Sequence, residues 1–273
     1  MSAETHNVEP IESLDDPRVS VYRNLKDREL ARLGGRFIAE GELVVRRLLA
    51  SDFPVESVLL ADRHVEEMSR LVPAGVPVYV APAAVVNSIV GFRFHSGVIA
   101  CGRRRPSPSL EAVAAAWREP VTIVVLPEVN KTDNLGAILR ISGAFGAGAV
   151  ILGERCCDPF YRQSVRVSMG AVFSLPLVQS ADLKADLRRL RGQFGVQLAA
   201  AVLDGDAEPL ASAVRPAHLA ILLGNEAQGL DRELVELCDR RITIPMKLGT
   251  DSLNVAVAAG VFLYHFTSQA RNL

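Results

Sequence analysis

The first hundred residues alternate short apolar runs with short amphipathic ones. Arg36 to Ala39, Val55 to Leu60, Val76 to Val80 and Gly97 to Cys101 read as strands. Between them, Glu42 to Ala50 carries Leu43, Val44, Arg47 and Leu48 at helical spacing. Asn24 to Arg32 and Asp62 to Leu71 also read as helices, as does Pro82 to Val90 with proline in its first turn. The pattern predicts a small α/β unit of four short strands. From Val121 onward the runs are longer and more apolar: Val121–Leu126, Ala149–Leu152, Val172–Val178, Val196–Val202, His218–Leu223 and Arg241–Pro245. Runs such as TIVVL and LAILL suit strands covered on both faces, so the second half is predicted to be a mainly parallel sheet flanked by helices. In such sheets ligands sit beyond the carboxyl ends of the strands.

Residues 1–12 are polar and acidic and read as a disordered tail. Residues 13–104 then form the first domain, 105–119 a linker beginning in the RRRPSP stretch, and 120–273 the second domain. The chain has 273 residues, 49% hydrophobic and 22% charged, which excludes wholesale disorder. An aromatic content of 5% argues against a surface built on ring stacking alone. A formal charge of −1 argues against a polybasic binder as a whole-chain property. Locally the balance differs. Between Arg18 and Arg47 seven arginines and one lysine face four acids, and Arg93 with Arg103–Arg105 adds four charges with no acid nearby in sequence. Arginine is the better fork for phosphate, although an arginine-rich, lysine-poor chain equally fits a GC-rich genome.

Cys101, Cys156, Cys157 and Cys238 form no C-x-x-C pair, which excludes a zinc ribbon or a thioredoxin motif and predicts reduced thiols. No cluster of metal-ligand residues stands out, so no metal is expected. The N-terminus lacks an apolar h-region, and stretches such as Val255 to Tyr264 fall short of the roughly 20 residues a membrane span needs. A cytoplasmic protein without membrane attachment is the expectation.

Three strand-end segments carry candidate chemistry. The first runs from Leu126 to Arg140 (LPEVNKTDNLGAILR), with Asn134 placed to cap a helix and Leu135, Ile138, Leu139 and Ser142 as its packed stripe. The second is Leu222 to Leu230 (LLGNEAQGL), where an apolar strand runs into Gly224, Asn225 and Glu226, then Gly229. The third is Ile242 to Ala259 (ITIPMKLGTDSLNVAVAA), with Ser252 placed to cap a small-residue helix. Each alone fits an ordinary strand–turn–helix join.

Taken in order, the three resemble the motifs of the SpoU-type (TrmH-like) RNA ribose 2′-O-methyltransferases of the SPOUT superfamily. The resemblance covers nearly all of 120–273, including Ser168–Pro176 (SMGAVFSLP). Residues 13 to about 103 resemble, more loosely, the ribosomal-protein-like substrate-binding domain that often precedes it. The resemblance implies a trefoil knot near the C-terminus, S-adenosylmethionine as cofactor, and a homodimer with composite active sites acting on rRNA or tRNA. By motif position it implies catalytic roles for Asn134, Arg140, Glu226, Ser252 and Asn254, and cofactor contacts at Leu223, Gly224, Asn225, Gly229, Ile244, Met246 and Leu253. Arg18, Arg23, Arg36, Arg103 and Arg104 are the expected RNA contacts.

Methyl transfer from a sulfonium is an in-line displacement, so the protein must align the hydroxyl and make it nucleophilic. Arginine is almost never deprotonated in a protein. Arg140 is therefore expected to bind the adjoining phosphate and stabilise the developing alkoxide, while phosphate or solvent takes the proton. A Rossmann oxidoreductase is the rival class, but no G-x-G-x-x-G follows a strand. A catalytically inactive RNA-binding protein of the same fold is the other alternative.

Overall fold

The computed structural model describes residues 8–23, 35–91, 95–225, 228–247 and 252–269. The chain divides into two compact units, one of Met1–Pro106 with Pro159–Ser174, the other of Ser107–Asp158 with Leu175–Leu273. The first contains β1 (Val8–Pro10), β2 (Arg36–Glu40), α1 (Glu42–Leu49), β3 (Val55–Ala61), α2 (Val65–Met68), β4 (Val78–Ala81), α3 (Ala83–Val90) and β5 (Val98–Arg103). Its sheet has five strands in the order β1-β4-β3-β5-β2, with β5 antiparallel to both neighbours. Tyr22, Ile38, Leu59 and Ile99 lie in its core.

Several expectations need correction here. Residues 8–10 are not tail: Val8 pairs with Val78, and Ile11, 1% exposed, anchors the segment. Three residues are too few to show a strand period, which is why the edge strand was hidden. In α1 the buried side chains are Val44, Val45 and Leu48, while Leu43 is exposed, so the packed face is turned from the predicted one. Asp62 to Leu71 is a four-residue helix between two 3-10 turns. The predicted helix at Asn24 to Arg32 lies outside the described residues.

The second unit contains α4 (Leu110–Ala114), β6 (Val121–Leu126), α5 (Thr132–Ala144), β7 (Ala149–Leu152), β8 (Leu177–Gln179), α7 (Leu183–Phe194), β9 (Gln197–Ala201), β10 (Glu208–Pro209), β11 (His218–Leu222), α8 (Arg232–Leu237), β12 (Arg240–Thr243) and α9 (Val255–Gln269). The helix between β7 and β8, α6 (Arg162–Val167), belongs to the first unit. Seven strands in the order β10-β12-β9-β11-β6-β7-β8 pair in parallel throughout. Every residue of β6 is buried, as a strand covered on both faces requires. All carboxyl ends of the sheet therefore share one edge.

The strand expected at Val172–Val178 is displaced. Ala171–Phe173 is a 3-10 turn and the strand begins at Leu177, after Pro176. The apolar residues of the turn serve a different purpose. Phe173 and Phe160 stack with Phe37 and Phe53 at centroid distances of 5.2–5.6 Å. Arg104 lies over the Phe160 ring and Arg105 over Phe53. This cluster joins the two chain stretches of the first unit. Truncating its central ring, Phe37→Ala, should cost about 3–5 kcal/mol, as for a fully buried aromatic residue. Denaturant melting checks the figure, and a loss below about 1 kcal/mol would remove the cluster from its joining role.

Candidate active site

Three parallel strands, β9, β11 and β12, deliver their following loops to one cavity of about 370 Å³, closed on another side by the start of α9. The loop after β11 contributes Leu223, Gly224, Asn225 and Gly229, and the segment after β12 contributes Ile244, Met246 and Leu253. The seven residues expected at a cofactor thus line one space. Gly224 cannot carry a side chain, because a Cβ there would overlap the backbone of Gly229 and Leu230. The loop turns back on itself at that point: Asn225 N donates to Gly229 O at 3.0 Å and Gly229 N to Asn225 O at 2.8 Å, with Gly229 at φ +70°. Apolar walls with backbone polar groups at the mouth suit a nucleoside-sized ligand.

Sequence reasoning missed Ala201, Val202 and Leu203, which follow β9 and line the same cavity. Their position at a strand end was the available signal; they carry no glycine or polar motif to mark them.

Asn134 and Asn254 meet. Asn254 Nδ2 donates to Asn134 Oδ1 at 3.0 Å, and Asn254 Oδ1 accepts from Ala256 N at 2.9 Å. Asn254, not Ser252, is therefore the side chain that caps α9. Ser252 is exposed at the cavity, three residues before the helix begins. Asn134 is not a cap either. Lys131 occupies that position, and Asn134 sits within the first turn of α5, 9% exposed. Its Nδ2 is buried and has no hydrogen-bond partner among the described residues. The expected stripe of Leu135, Ile138, Leu139 and Ser142 is buried. Ile141 lies beside Gly260, and Phe145 is 6.3 Å from Tyr264, so α5 and α9 run parallel from their shared start.

Arg140 is exposed and makes no hydrogen bond or ion pair among the described residues. Six residues beyond Asn134, it is turned about 120° away from it around the helix. The structure thus brings Asn134, Asn254 and Ser252 to the cavity end of the helix pair but leaves Arg140 on the outer surface. Glu226 lies outside the described residues.

The arginines expected to meet RNA are mostly paired. Arg18 is bound by Asp16 and Glu9, Arg23 lies 3.4 Å from Asp15, and Arg36 and Arg103 share Glu56. Arg105 has Asp52 at 3.4 Å. The acids absent from the neighbouring sequence are supplied by the fold. Burial pushes the Cys156 thiol up to about 11 and those of Cys101 and Cys238 up to about 12, which leaves them protonated and unreactive at neutral pH. Among the described residues there is no group of side chains that could hold a metal ion, and no helix long and apolar enough to cross a membrane.

Asn254→Ala removes a helix cap and leaves the Asn134 carbonyl oxygen buried without a donor. The two losses should together cost about 2–3 kcal/mol. Asn254→Asp keeps the cap and should cost less. Thermal melting of the two variants and wild type separates the two losses: equal melting points for the variants would mean that the cap contributes nothing, and a wild-type melting point for Asn254→Asp would mean the same of the contact with Asn134.

The sequence profile of the SpoU rRNA Methylase family matches residues 121–264. The chain is 39% identical to an uncharacterized tRNA/rRNA methyltransferase of Mycobacterium bovis, over 95% of this chain and 91% of that one. It is 26% identical to a 23S rRNA guanosine 2′-O-methyltransferase of Bacillus subtilis, over 93% and 98% of the two chains. Its fold is similar to that of an AdoMet-bound rRNA methyltransferase from Sinorhizobium meliloti, with a TM-score of 0.80, 28% identity, and coverage of 98% of this chain and 99% of that one. A profile that spans more than half the chain, with a relative at 39% identity along nearly all of it, places this protein in the SpoU rRNA methylase family.

Proposed function

We propose that the chain transfers the methyl group of S-adenosylmethionine to a ribose 2′-hydroxyl of structured RNA, ribosomal RNA in preference to transfer RNA. The observation that carries this reading is the convergence of the strand-end loops on one nucleoside-sized cavity. The similar Sinorhizobium enzyme was crystallised with AdoMet, and the Bacillus relative methylates a guanosine 2′-oxygen of 23S rRNA. The site of action is the cytoplasm.

The bound cofactor supplies a methyl group already activated on sulfonium. The protein's part is to hold, align and stabilise. The backbone at Leu223, Gly224, Asn225, Gly229, Ile244, Met246 and Leu253 holds the nucleoside portion. Asn134 and Asn254 fix the start of α9, and with it Ser252 at the mouth of the cavity. Arg140 grips the phosphate beside the target ribose and stabilises the alkoxide as it forms, while phosphate or solvent takes the proton. Glu226 orients the ribose or Arg140. RNA affinity comes from the first unit. Because Arg18, Arg23, Arg36 and Arg103 are already paired, each would contact RNA by exchanging a carboxylate for a phosphate; Arg104, over Phe160, follows Arg103 in the chain.

The exposed Arg140 fits a homodimer in which each cavity is completed by the partner's arginine. Val257, Val261 and Tyr264 form a stripe on α9 that is 52%, 39% and 64% exposed. An apolar face of this kind calls for a cover, and a second copy supplies one. The knot belongs to the same reading. Its support is the path of the chain from β12, separated from β6 by β9 and β11, back to a helix packed on α5.

Two outcomes test the reading. Light scattering should give a dimer, and Val261→Asp should give monomers that still bind S-adenosylmethionine in calorimetry with chelator present but no longer methylate RNA. A wild-type monomer at micromolar concentration would end the composite-site picture. Arg140→Ala should lower single-turnover methylation of ribosomal RNA on the order of 10²–10³-fold, as does loss of one preorganised oxyanion donor, with cofactor affinity retained. Arg140→Lys should not rescue it, since lysine lacks the planar fork. A fully active Arg140→Ala enzyme would overturn the mechanism.

A further inference from the structure

Glu128 lies in the loop after β6, within the first motif segment but not among the residues to which the motifs assign a role. Its Oε1 accepts from Asn225 Nδ2 at 3.3 Å and from Asn130 Nδ2 at 2.9 Å. Its Oε2 lies 2.8 Å from Arg155 Nε, in the loop after β7, and the same guanidinium donates through its Nη2 to Asp231 Oδ2 at 2.6 Å. Asn225 and Asp231 stand at the two ends of the loop that carries Gly229. One carboxylate is therefore tied to both ends of that loop, directly at Asn225 and through Arg155 at Asp231. The Glu128 side chain is 22% exposed, against 55% and 51% for Arg155 and Asp231, so it is the sheltered centre of the group.

We infer that Glu128 is a positioning residue that, with Arg155, clasps both ends of the 225–231 loop and thereby holds the cofactor cavity in shape. This rests on the reading of that cavity as the S-adenosylmethionine site. The physical need for a clasp is plain in the loop itself. It begins at Gly224, turns at Gly229 with φ +70°, and among the described residues its own backbone closes the neck between Asn225 and Gly229. Glycines supply the turn but no side chains to anchor it. A loop left to order itself on binding spends part of the binding free energy doing so. Loss of the clasp should therefore weaken cofactor binding and leave turnover at saturating cofactor unchanged, because Arg140 and Ser252 stand on other elements and bound cofactor itself restores the order of the loop that carries Glu226.

The test compares wild type, Glu128→Ala, Glu128→Gln, Arg155→Ala, Asn225→Ala and the Glu128→Ala/Asn225→Ala double variant. Glu128→Ala should weaken S-adenosylmethionine binding by about tenfold, the scale of a hydrogen bond to a charged group. Its kcat at saturating cofactor and its KM for 23S rRNA transcript should stay within about twofold of wild type, a change too small for a lost charged hydrogen bond. Glu128→Gln, which keeps an acceptor oxygen for Asn225 but loses the charge that holds Arg155, should fall between. The double variant should bind no worse than the weaker single one, since both remove the same contact. Hydrogen exchange at the Gly229 amide should quicken in Glu128→Ala without any ligand. Unchanged cofactor affinity in Glu128→Ala, additive losses in the double variant, or an equal fall in kcat would each overturn the clasp. Should Glu128→Ala not fold, Glu128→Gln and the surface variant Arg155→Ala decide, and wild-type affinity in both overturns it. If wild type itself binds no S-adenosylmethionine, the functional reading fails, and the exchange rate at Gly229 still decides the clasp.

Discussion

The amide of Asn254 ties together parts of the second unit that are far apart in sequence. Its oxygen starts α9 by accepting from Ala256 N, and its nitrogen bonds Asn134 in the first turn of α5. A helix start is short of partners for its first N–H groups, and here one side chain both supplies a partner and fixes where the helix begins. Because α9 follows β12 and α5 follows β6, the contact spans 120 residues of chain. The wall of the cavity formed by Ser252, Leu253 and Val255 stands where it does because this contact holds. The parallel run of the two helices follows from the same start, with Ile141 beside Gly260 and Phe145 near Tyr264.

The all-parallel sheet does the rest of the placing. Parallel pairing sends every strand-end loop of the unit to one edge, so loops separated by tens of residues can share one cavity without long excursions. What converges there is mainly backbone and apolar side chain. Charge is kept close but occupied: Glu128, Arg155 and Asp231 satisfy one another. Arg140 is the contrast. It is a cation without a partner among the described residues, on a helix whose other faces are committed to packing. A free guanidinium is costless in water and valuable where a phosphate arrives, which is why an unpaired arginine is a better candidate for chemistry than any of the paired ones in the first unit.

Much of this was legible in the chain because burial on both faces leaves an unbroken apolar run. β6, β7 and β11 stand within a residue of where those runs end. The residues around the cavity were legible because loops that must approach a ligand need glycine: Gly224 stands where a Cβ would strike backbone, and Gly229 takes a positive φ that other residues rarely adopt. What was hidden depends on contacts far along the chain. Asn134 reads as a cap until Asn254 is placed beside it. Arg103 reads as a free cation until Glu56, 47 residues away, is seen to pair with it. Val172 and Phe173 have the composition of a strand, and only the presence of Phe37 and Phe53 explains why they form a turn instead. Local pattern reports which side chains need cover and is silent on what covers them.

The discontinuity of the first unit limits how its work can be separated from that of the second. A cut after residue 105 looks clean in the sequence, since a proline-rich stretch follows. It would nevertheless leave Pro159–Ser174 without the sheet and rings on which it is built. Phe160 and Phe173 would lose Phe37 and Phe53, and Arg162 and Arg166 would lose Glu40, the acid between them. The exposed rings would form an apolar patch of the kind that drives association. Loss of RNA binding in such a fragment would then report misfolding as readily as a missing surface. On the roles proposed above, recognition of RNA and binding of cofactor would be separated by single side chains, such as Arg104 on one side and Glu128 on the other, and not by the boundary that the sequence suggests.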